Sequence, residues 1–147
     1  MSRLSRLVLR SALTLLLAFA AAPAASAQVG IGGLVGEPTG LTVKIGAGRG
    51  GVAVDVGLSR NLFVQAHYLI RETRLRGAGA DVRFLFGPGA FYQKRDGDDA
   101  LGVSALLGLS VYVAPEFELF GQVTPGIRLT PDVDGRSGVA AGLRFYP

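Results

Sequence analysis

The 147-residue sequence contains no cysteine and no tryptophan, and it has a single histidine and a single methionine. The absence of cysteine excludes disulfide bonds, thiolate metal sites and the lipid-modified cysteine of a lipoprotein. The chain also lacks the 3.6-residue periodicity of amphipathic helices. It has no long basic run and no array of stacking aromatics, so nothing in it favours nucleic-acid binding.

Residues 1–27 have the organisation of a cleaved secretory signal peptide. Three arginines lie within the first ten residues, Ala12–Ala22 is mostly apolar, and an Ala-Ser-Ala cleavage motif ends at Ala27. A retained membrane anchor is the alternative, but the apolar run is short for a spanning helix and the cleavage motif follows it. We therefore expect an exported protein in which residues 28–147 form one β-barrel domain.

The basic character of the full sequence belongs mainly to this leader. All 11 acidic residues follow residue 27, whereas three of the 15 basic residues precede it. The remaining 12 basic residues leave residues 28–147 with a formal net charge of +1. The charge balance therefore does not indicate a polyanionic partner.

What the chain does contain is repeated alternation with a period of two. In Leu101–Val113 and Phe117–Leu129 the odd positions carry no charge, whereas the even positions, apart from Leu106 and Phe120, are small, polar or charged. This period is typical of β-strands whose two faces meet different surroundings. An apolar outer face and a polar inner face favour a closed barrel in lipid.

The pattern predicts an all-β fold, an eight-stranded antiparallel up-and-down β-barrel of outer-membrane type. The longest predicted connections are Arg71–Gly77, on the side of the chain termini, and Gly87–Ala100, on the opposite side. Turn residues separate the predicted strands, which are Val29–Val35, Gly40–Ala47, Gly51–Leu58, Leu62–Ile70, Gly79–Phe86, Leu101–Val113, Phe117–Leu129 and Ser137–Tyr146.

Alternation also predicts which polar side chains face the interior. An eight-stranded barrel is only wide enough for its own side chains, so inward charges must pair with each other or with trapped water. Inward glycines leave room for the longer side chains. We expect a plugged interior whose polar network consists of Lys44, Asp55, Gln65, His67, Asp81, Arg83, Glu118, Gln122, Arg128 and Arg144.

Three segments carry a family resemblance. They are Gly36-Glu37-Pro38-Thr39-Gly40, His67-Tyr68-Leu69 and the closing Gly142-Leu143-Arg144-Phe145-Tyr146. With them the chain resembles a family of small, largely uncharacterised bacterial outer-membrane-type β-barrel proteins. The resemblance implies an eight-stranded barrel and no assigned activity. Barrels of this type usually end on an aromatic residue, whereas here Pro147 follows Tyr146.

The single histidine raises the question of catalysis. Alternation points His67 inward, and pairing across the preceding turn places Asp55 diagonal to it. Asp55 and His67 form an acid–base pair in one hypothesis, with Ser104 or Ser110 as the nucleophile. The competing hypothesis is a polar network that locks the barrel. We favour the network and predict no catalytic residue, since the sequence lacks the His-x-Ser arrangement of outer-membrane lipid hydrolases.

Two exposed charge clusters offer weaker signals. Asp96, Asp98 and Asp99 resemble part of a calcium loop but lack the downstream glutamate of an EF-hand. The arginines of Arg71–Gly77 suggest contact with anionic lipid headgroups or with a periplasmic partner, and we favour a charged, hydrated turn over both. We predict neither a metal site nor a cofactor.

The leading functional hypothesis is a monomeric, non-enzymatic outer-membrane barrel with a structural or surface-interaction role. Its partners would be outer-membrane lipid and, during assembly, the barrel-insertion machinery. A soluble periplasmic barrel that binds an apolar ligand is the alternative, and it would require apolar side chains inside and charges outside. An outer-membrane lipid-modifying enzyme is a third hypothesis. A water-filled channel is disfavoured, because eight strands leave too little lumen.

Overall fold

The computed structural model describes residues 28–46, 50–58, 61–75, 81–94 and 96–147. The predicted signal peptide and parts of four predicted connections, including Arg76, lie outside these ranges. The described residues form nine strands and no helix: β1 Val29–Gly36, β2 Gly40–Ile45, β3 Gly51–Gly57, β4 Phe63–Leu69, β5 Arg71–Leu75, β6 Asp81–Lys94, β7 Asp99–Ala114, β8 Phe117–Thr130 and β9 Asp134–Phe145.

These strands close into one antiparallel barrel. Neighbouring strands in sequence pair with each other except for β4 and β5, both of which pair with β6, and β1 pairs with β9. Strands β4 and β5 are therefore two halves of a single barrel strand, which makes eight in all. The predicted eight-stranded, up-and-down antiparallel barrel is confirmed.

Up-and-down topology gives the barrel two different ends. The terminal end holds the start of β1 and the end of β9, together with the short β7–β8 turn at Pro115 and Glu116. The distal end holds the β1–β2, β3–β4, β6–β7 and β8–β9 connections. The two ends are used below to locate the interior side chains.

Both long connections of the prediction are wrong. Arg71–Leu75 is strand β5, and most of Gly87–Ala100 belongs to β6 and β7, which pair continuously from Asp81–Tyr112 to Lys94–Asp99. Because β6 pairs with β7 along its whole length, it continues through Gly87-Pro88-Gly89, a sequence that is typical of turns. The barrel wall on this side is consequently taller than the alternation pattern indicated.

A β-bulge between β4 and β5 explains how β6 accommodates Pro88. Pairing stops at His67–Gly89 and resumes at Arg71–Phe86, so three residues of the β4–β5 strand face two residues of β6. Pro88 lies in this interruption, where its missing N–H leaves no ladder position unpaired. The extra residue reverses the alternation, and Glu72 consequently faces inward although the inward residues of β4 are odd-numbered.

The two faces of the wall differ as their alternation suggests. The outward positions expose large apolar side chains, such as Leu101, Leu109 and Val123. Three outward positions of the longer observed strands are charged, namely Arg71 beside the bulge and the paired Lys94 and Asp99 at the distal end. The interior is polar but also contains apolar clusters, formed by Ala53, Leu69, Leu85 and Leu106 and by Leu34, Phe120 and Ala140.

Several inward glycines make room for aromatic rings rather than for charged side chains. A Cβ atom built on Gly142 would lie 2.6 Å from Cζ of Phe120, and one on Gly102 would lie 2.4 Å from Cζ of Phe91. Gly121 on the outward face of β8 differs, because a Cβ atom there would meet nothing within 4 Å.

Alanine substitutions at an inward and an outward glycine should have different effects on stability. We expect Gly142→Ala to lower the free energy of unfolding by about 1–3 kcal/mol, because the added methyl group overpacks the interior. The matched control Gly121→Ala should be neutral or stabilising by about 0.5–1 kcal/mol. Denaturant unfolding in detergent micelles measures both, and equal destabilisation by the two substitutions would contradict the face assignment.

Candidate functional site

A charged cluster fills the interior at the terminal end. We define it as Lys44, Glu72, Arg83, Glu118 and Arg144. The Nζ atom of Lys44 lies 3.2 Å from Oε2 of Glu72 and 3.3 Å from Oε1 of Glu118. Arg83 donates from Nη1 to Oε1 of Glu72 over 2.9 Å. Each cluster member lies within a few residues of the terminal end of its strand, so five strands bring their charges to one level.

Arg144 holds the opposite side of this cluster. Its Nε and Nη2 atoms donate to Oγ1 of Thr42 over 3.1 Å and 3.0 Å, and its Nη1 atom donates to Oε2 of Glu118 over 3.3 Å. The guanidinium carbon lies 3.7 Å from the ring centroid of Phe120. The hydroxyl of Tyr146 also donates to Glu118. Arg144 is thus buried with its charge paired and its planar face covered by an aromatic ring.

Asp81 extends the cluster toward solvent. Its carboxylate accepts hydrogen bonds from Arg83 over 2.8 Å and from the exposed Arg74 over 2.7 Å. Three carboxylates and the three cations of the cluster therefore balance in charge. Such a balanced, hydrogen-bonded set avoids the cost of an isolated buried charge.

A second group of polar side chains lies deeper in the barrel. We call Asp55, Gln65, His67, Ser104 and Gln122 the central polar group. Both glutamine side chains donate from Nε2 to Oδ2 of Asp55, over 2.8 Å from Gln65 and 2.7 Å from Gln122. Nε2 of His67 lies 2.9 Å from Oγ of Ser104. The observed Asp55–Gln65 pairing places Asp55 diagonal to His67 across β3 and β4.

Three buried atoms of the central polar group form no hydrogen bond among the described residues. They are Oδ1 of Asp55, Nδ1 of His67 and Oε1 of Gln122. Asp55 is fully buried, and within this part of the chain no lysine or arginine nitrogen lies within 4.0 Å of its carboxylate. A carboxylate and an imidazole nitrogen with complementary hydrogen-bonding capacity therefore occupy adjacent strands.

A polar mouth of about 270 Å³ opens at the distal end. Arg136 donates to Oε1 of Gln93 over 2.9 Å, and its guanidinium carbon lies 4.2 Å from the ring centroid of Phe63. Arg128 binds Asp134 over 3.2 Å. The residues that line the distal mouth are Glu37, Phe91, Gln93, Arg128, Asp134, Gly135 and Arg136.

The outer wall carries a shallow apolar groove of about 640 Å³. Its floor is formed by Gly121 and Ala141, which are paired across β8 and β9. Its walls include Phe84, Leu107, Leu109, Val123 and Val139.

The structure divides the ten predicted network residues among three places. Lys44, Asp81, Arg83, Glu118 and Arg144 lie in or beside the charged cluster. Asp55, Gln65, His67 and Gln122 belong to the central polar group. Arg128 lies at the distal mouth, away from both.

The sequence-based prediction missed Glu72, Tyr146 and Arg136 as interior residues. The bulge hides Glu72, since simple alternation along β4 would turn it outward. Arg136 lies just outside the predicted strand Ser137–Tyr146, whereas the observed β9 begins at Asp134 and includes it. The inward position of Tyr146 could have been predicted, because side chains two residues apart along a strand lie on the same face and Arg144 faces inward.

Within the described residues, no group of three or more histidine or acidic side chains is arranged to hold a metal ion. Asp96, Asp98 and Asp99 are all exposed at the distal end. No helix in the same part of the chain is long and apolar enough to cross a membrane.

No protein-family model, curated protein or solved structure matches the sequence or fold of this chain. The resemblance to small outer-membrane-type barrels therefore stays a prediction.

Proposed function

We propose that this protein is a non-enzymatic, monomeric outer-membrane β-barrel with a structural or surface-interaction role. The observation that carries the proposal is the outward face, where exposed apolar side chains surround the closed wall on every side. Soluble monomers rarely expose contiguous apolar patches larger than a few hundred Å². In a lipid environment the apolar side chains are not exposed to water, and such an environment favours the observed combination of an apolar outer face and a polar interior.

The positions of the aromatic side chains support the same proposal. Phe117 and Phe145 stack at the terminal end with their ring centroids 5.2 Å apart, and Tyr68 is exposed on the outward face of β4. Tyr92 occupies the outward face near the distal end. Aromatic side chains near both rims suit the two membrane interfaces of a barrel.

The charged interior disfavours the alternative of a soluble barrel that binds an apolar ligand. Such a barrel needs an apolar cavity, whereas Lys44, Glu118 and Arg144 are fully buried here. The same paired charges suit a plug, because long side chains linked across the lumen obstruct a continuous water path. With the termini in the periplasm, the distal mouth and its turns would face the outside and form the surface available for interactions.

Fractionation of the native producer tests this proposal. We expect the protein in the outer-membrane fraction, and we expect its mobility on a detergent gel to change when the sample is boiled. A closed barrel that resists the detergent migrates compactly until heat unfolds it. The unboiled sample of the same preparation is the control. Recovery as a soluble periplasmic protein would reject the proposal.

A further inference from the structure

Ser104 and His67 form the one contact in the central polar group that joins a hydroxyl to a base. The hydroxyl oxygen of Ser104 lies 2.9 Å from Nε2 of His67, within the range of a nucleophile and its general base. Ser104 is partly exposed, whereas His67 is 1% exposed. If Nε2 accepts the serine proton, the ring proton of neutral His67 resides on Nδ1.

Asp55 is placed to orient that imidazole. Gln65 and Gln122 both bind its Oδ2 atom, which leaves Oδ1 without a partner on the strand beside His67. Nδ1 of His67 likewise has no partner among the described residues. These two atoms do not bind each other in this structure, but Asp55 lies on the diagonal of the β3–β4 pair from His67, where a carboxylate can accept a hydrogen bond from a protonated Nδ1. Hydrogen bonds of this kind are often long in a resting site and shorten when substrate binds.

The Phe91 ring lies between the distal mouth and Ser104. Phe91 lines the mouth, and its ring also lies against Gly102, which faces the interior two residues before Ser104 on β7. Phe63 packs beside Phe91 with a ring-centroid distance of 5.9 Å. The Phe91 ring therefore forms the floor of the mouth on the side of Ser104, and its size limits what can pass.

We propose that Ser104 is an activated nucleophile that accepts the acyl group of a small carboxylic ester entering from the distal mouth. Oγ of Ser104 forms a bond to the carbonyl carbon while Nε2 of His67 takes the hydroxyl proton. The bond from that carbon to the leaving oxygen then breaks, and His67 returns the proton to the departing alcohol. Asp55 acts as a positioning residue that stabilises the transient imidazolium. This reactivity departs from the non-enzymatic part of the role proposed above, and it does not depend on the outer-membrane location.

Acetylation by p-nitrophenyl acetate, followed by site-resolved mass spectrometry of the purified barrel, tests this proposal. Ser110 is an internal control, because it is a second inward serine on β7 and is fully buried, and no histidine binds its hydroxyl. We expect Ser104 to be acetylated about a hundredfold faster than Ser110, since a positioned general base contributes about 10²–10⁴ in rate. His67→Ala should reduce the Ser104 rate about a hundredfold, and an unchanged Ser104 rate in this variant would overturn the proposal.

Two further variants test how access through the mouth and the charge of Asp55 affect the reactivity of Ser104. Phe91→Ala should raise the Ser104 rate and leave Ser110 unchanged, because it widens the floor of the mouth. Asp55→Asn should move the half-maximal rate to lower pH, since the imidazolium loses a stabilising carboxylate; an unchanged half-maximal pH would mean that Asp55 does not act on His67. The heat-dependent gel shift reports whether each variant is folded. Equal rates at Ser104 and Ser110 in both the wild-type protein and Phe91→Ala would overturn the proposal.

Discussion

Replacing Glu118 with glutamine should lower the free energy of unfolding by about 3–5 kcal/mol, the typical cost of removing one partner from a buried ion pair. Glu118 is fully buried and binds both Lys44 and Arg144. Glutamine preserves the volume but not the charge, so the cluster would keep its three cations with one carboxylate fewer. Denaturant unfolding in detergent micelles measures the difference.

Glu116→Gln is the matched control. Glu116 is exposed in the β7–β8 turn, two residues before Glu118, and the same change there should alter the unfolding free energy by less than about 0.5 kcal/mol. The comparison removes any effect of overall charge. A neutral Glu118→Gln variant would mean that the charged cluster does not stabilise the barrel.

Leu109→Arg should destabilise the protein by about 2–4 kcal/mol when it is embedded in a bilayer. Leu109 lies near the middle of β7 and is 51% exposed on the outward face. If that face meets lipid, the substitution places a charge in the hydrocarbon region. In a water-soluble barrel the same change would be close to neutral, because a half-exposed leucine makes few contacts to lose. The effect of Leu109→Arg on stability therefore distinguishes a lipid-facing wall from a water-facing one.

Val133→Arg provides the control for this experiment. Val133 is 77% exposed in the β8–β9 turn at the distal end, outside the apolar wall. Arginine there should leave the unfolding free energy in lipid vesicles unchanged within about 0.5 kcal/mol. Equal, small effects of Leu109→Arg and Val133→Arg in the same vesicles would reject a lipid-facing wall.

The architecture could be predicted because one physical requirement governs every strand. A wall with different surroundings on its two sides imposes a period of two, and a long run such as Leu101–Val113 displays that period without interruption. The same requirement predicted the diagonal placement of Asp55 and His67, which depends only on the register across one turn.

The features that were not predicted, the bulge and the division of the interior, depend on pairing between strands, which no local sequence pattern specifies. The bulge before Arg71 becomes visible only when two partners of β6 are compared, and it alone decides that Glu72 faces inward. The division of the interior into a charged cluster and a central polar group is hidden for a similar reason. Alternation gives the face of a residue but not its height in the barrel, which depends on strand shear.

The charged cluster and its partner Thr42 join residues that are far apart in the chain, with a sequence separation of 74 for Lys44 and Glu118 and of 102 for Thr42 and Arg144. Strands β2 and β9 approach each other only through β1, so Arg144 reaches Thr42 only after the first and last strands have met. Contacts of such long sequence separation form late in folding. The ion pairs within β5–β6 and β8–β9 can form earlier, whereas the contacts of Lys44 and Thr42 with β8 and β9 exchange water for protein partners only at closure. Completion of the barrel and sealing of its lumen are therefore the same event.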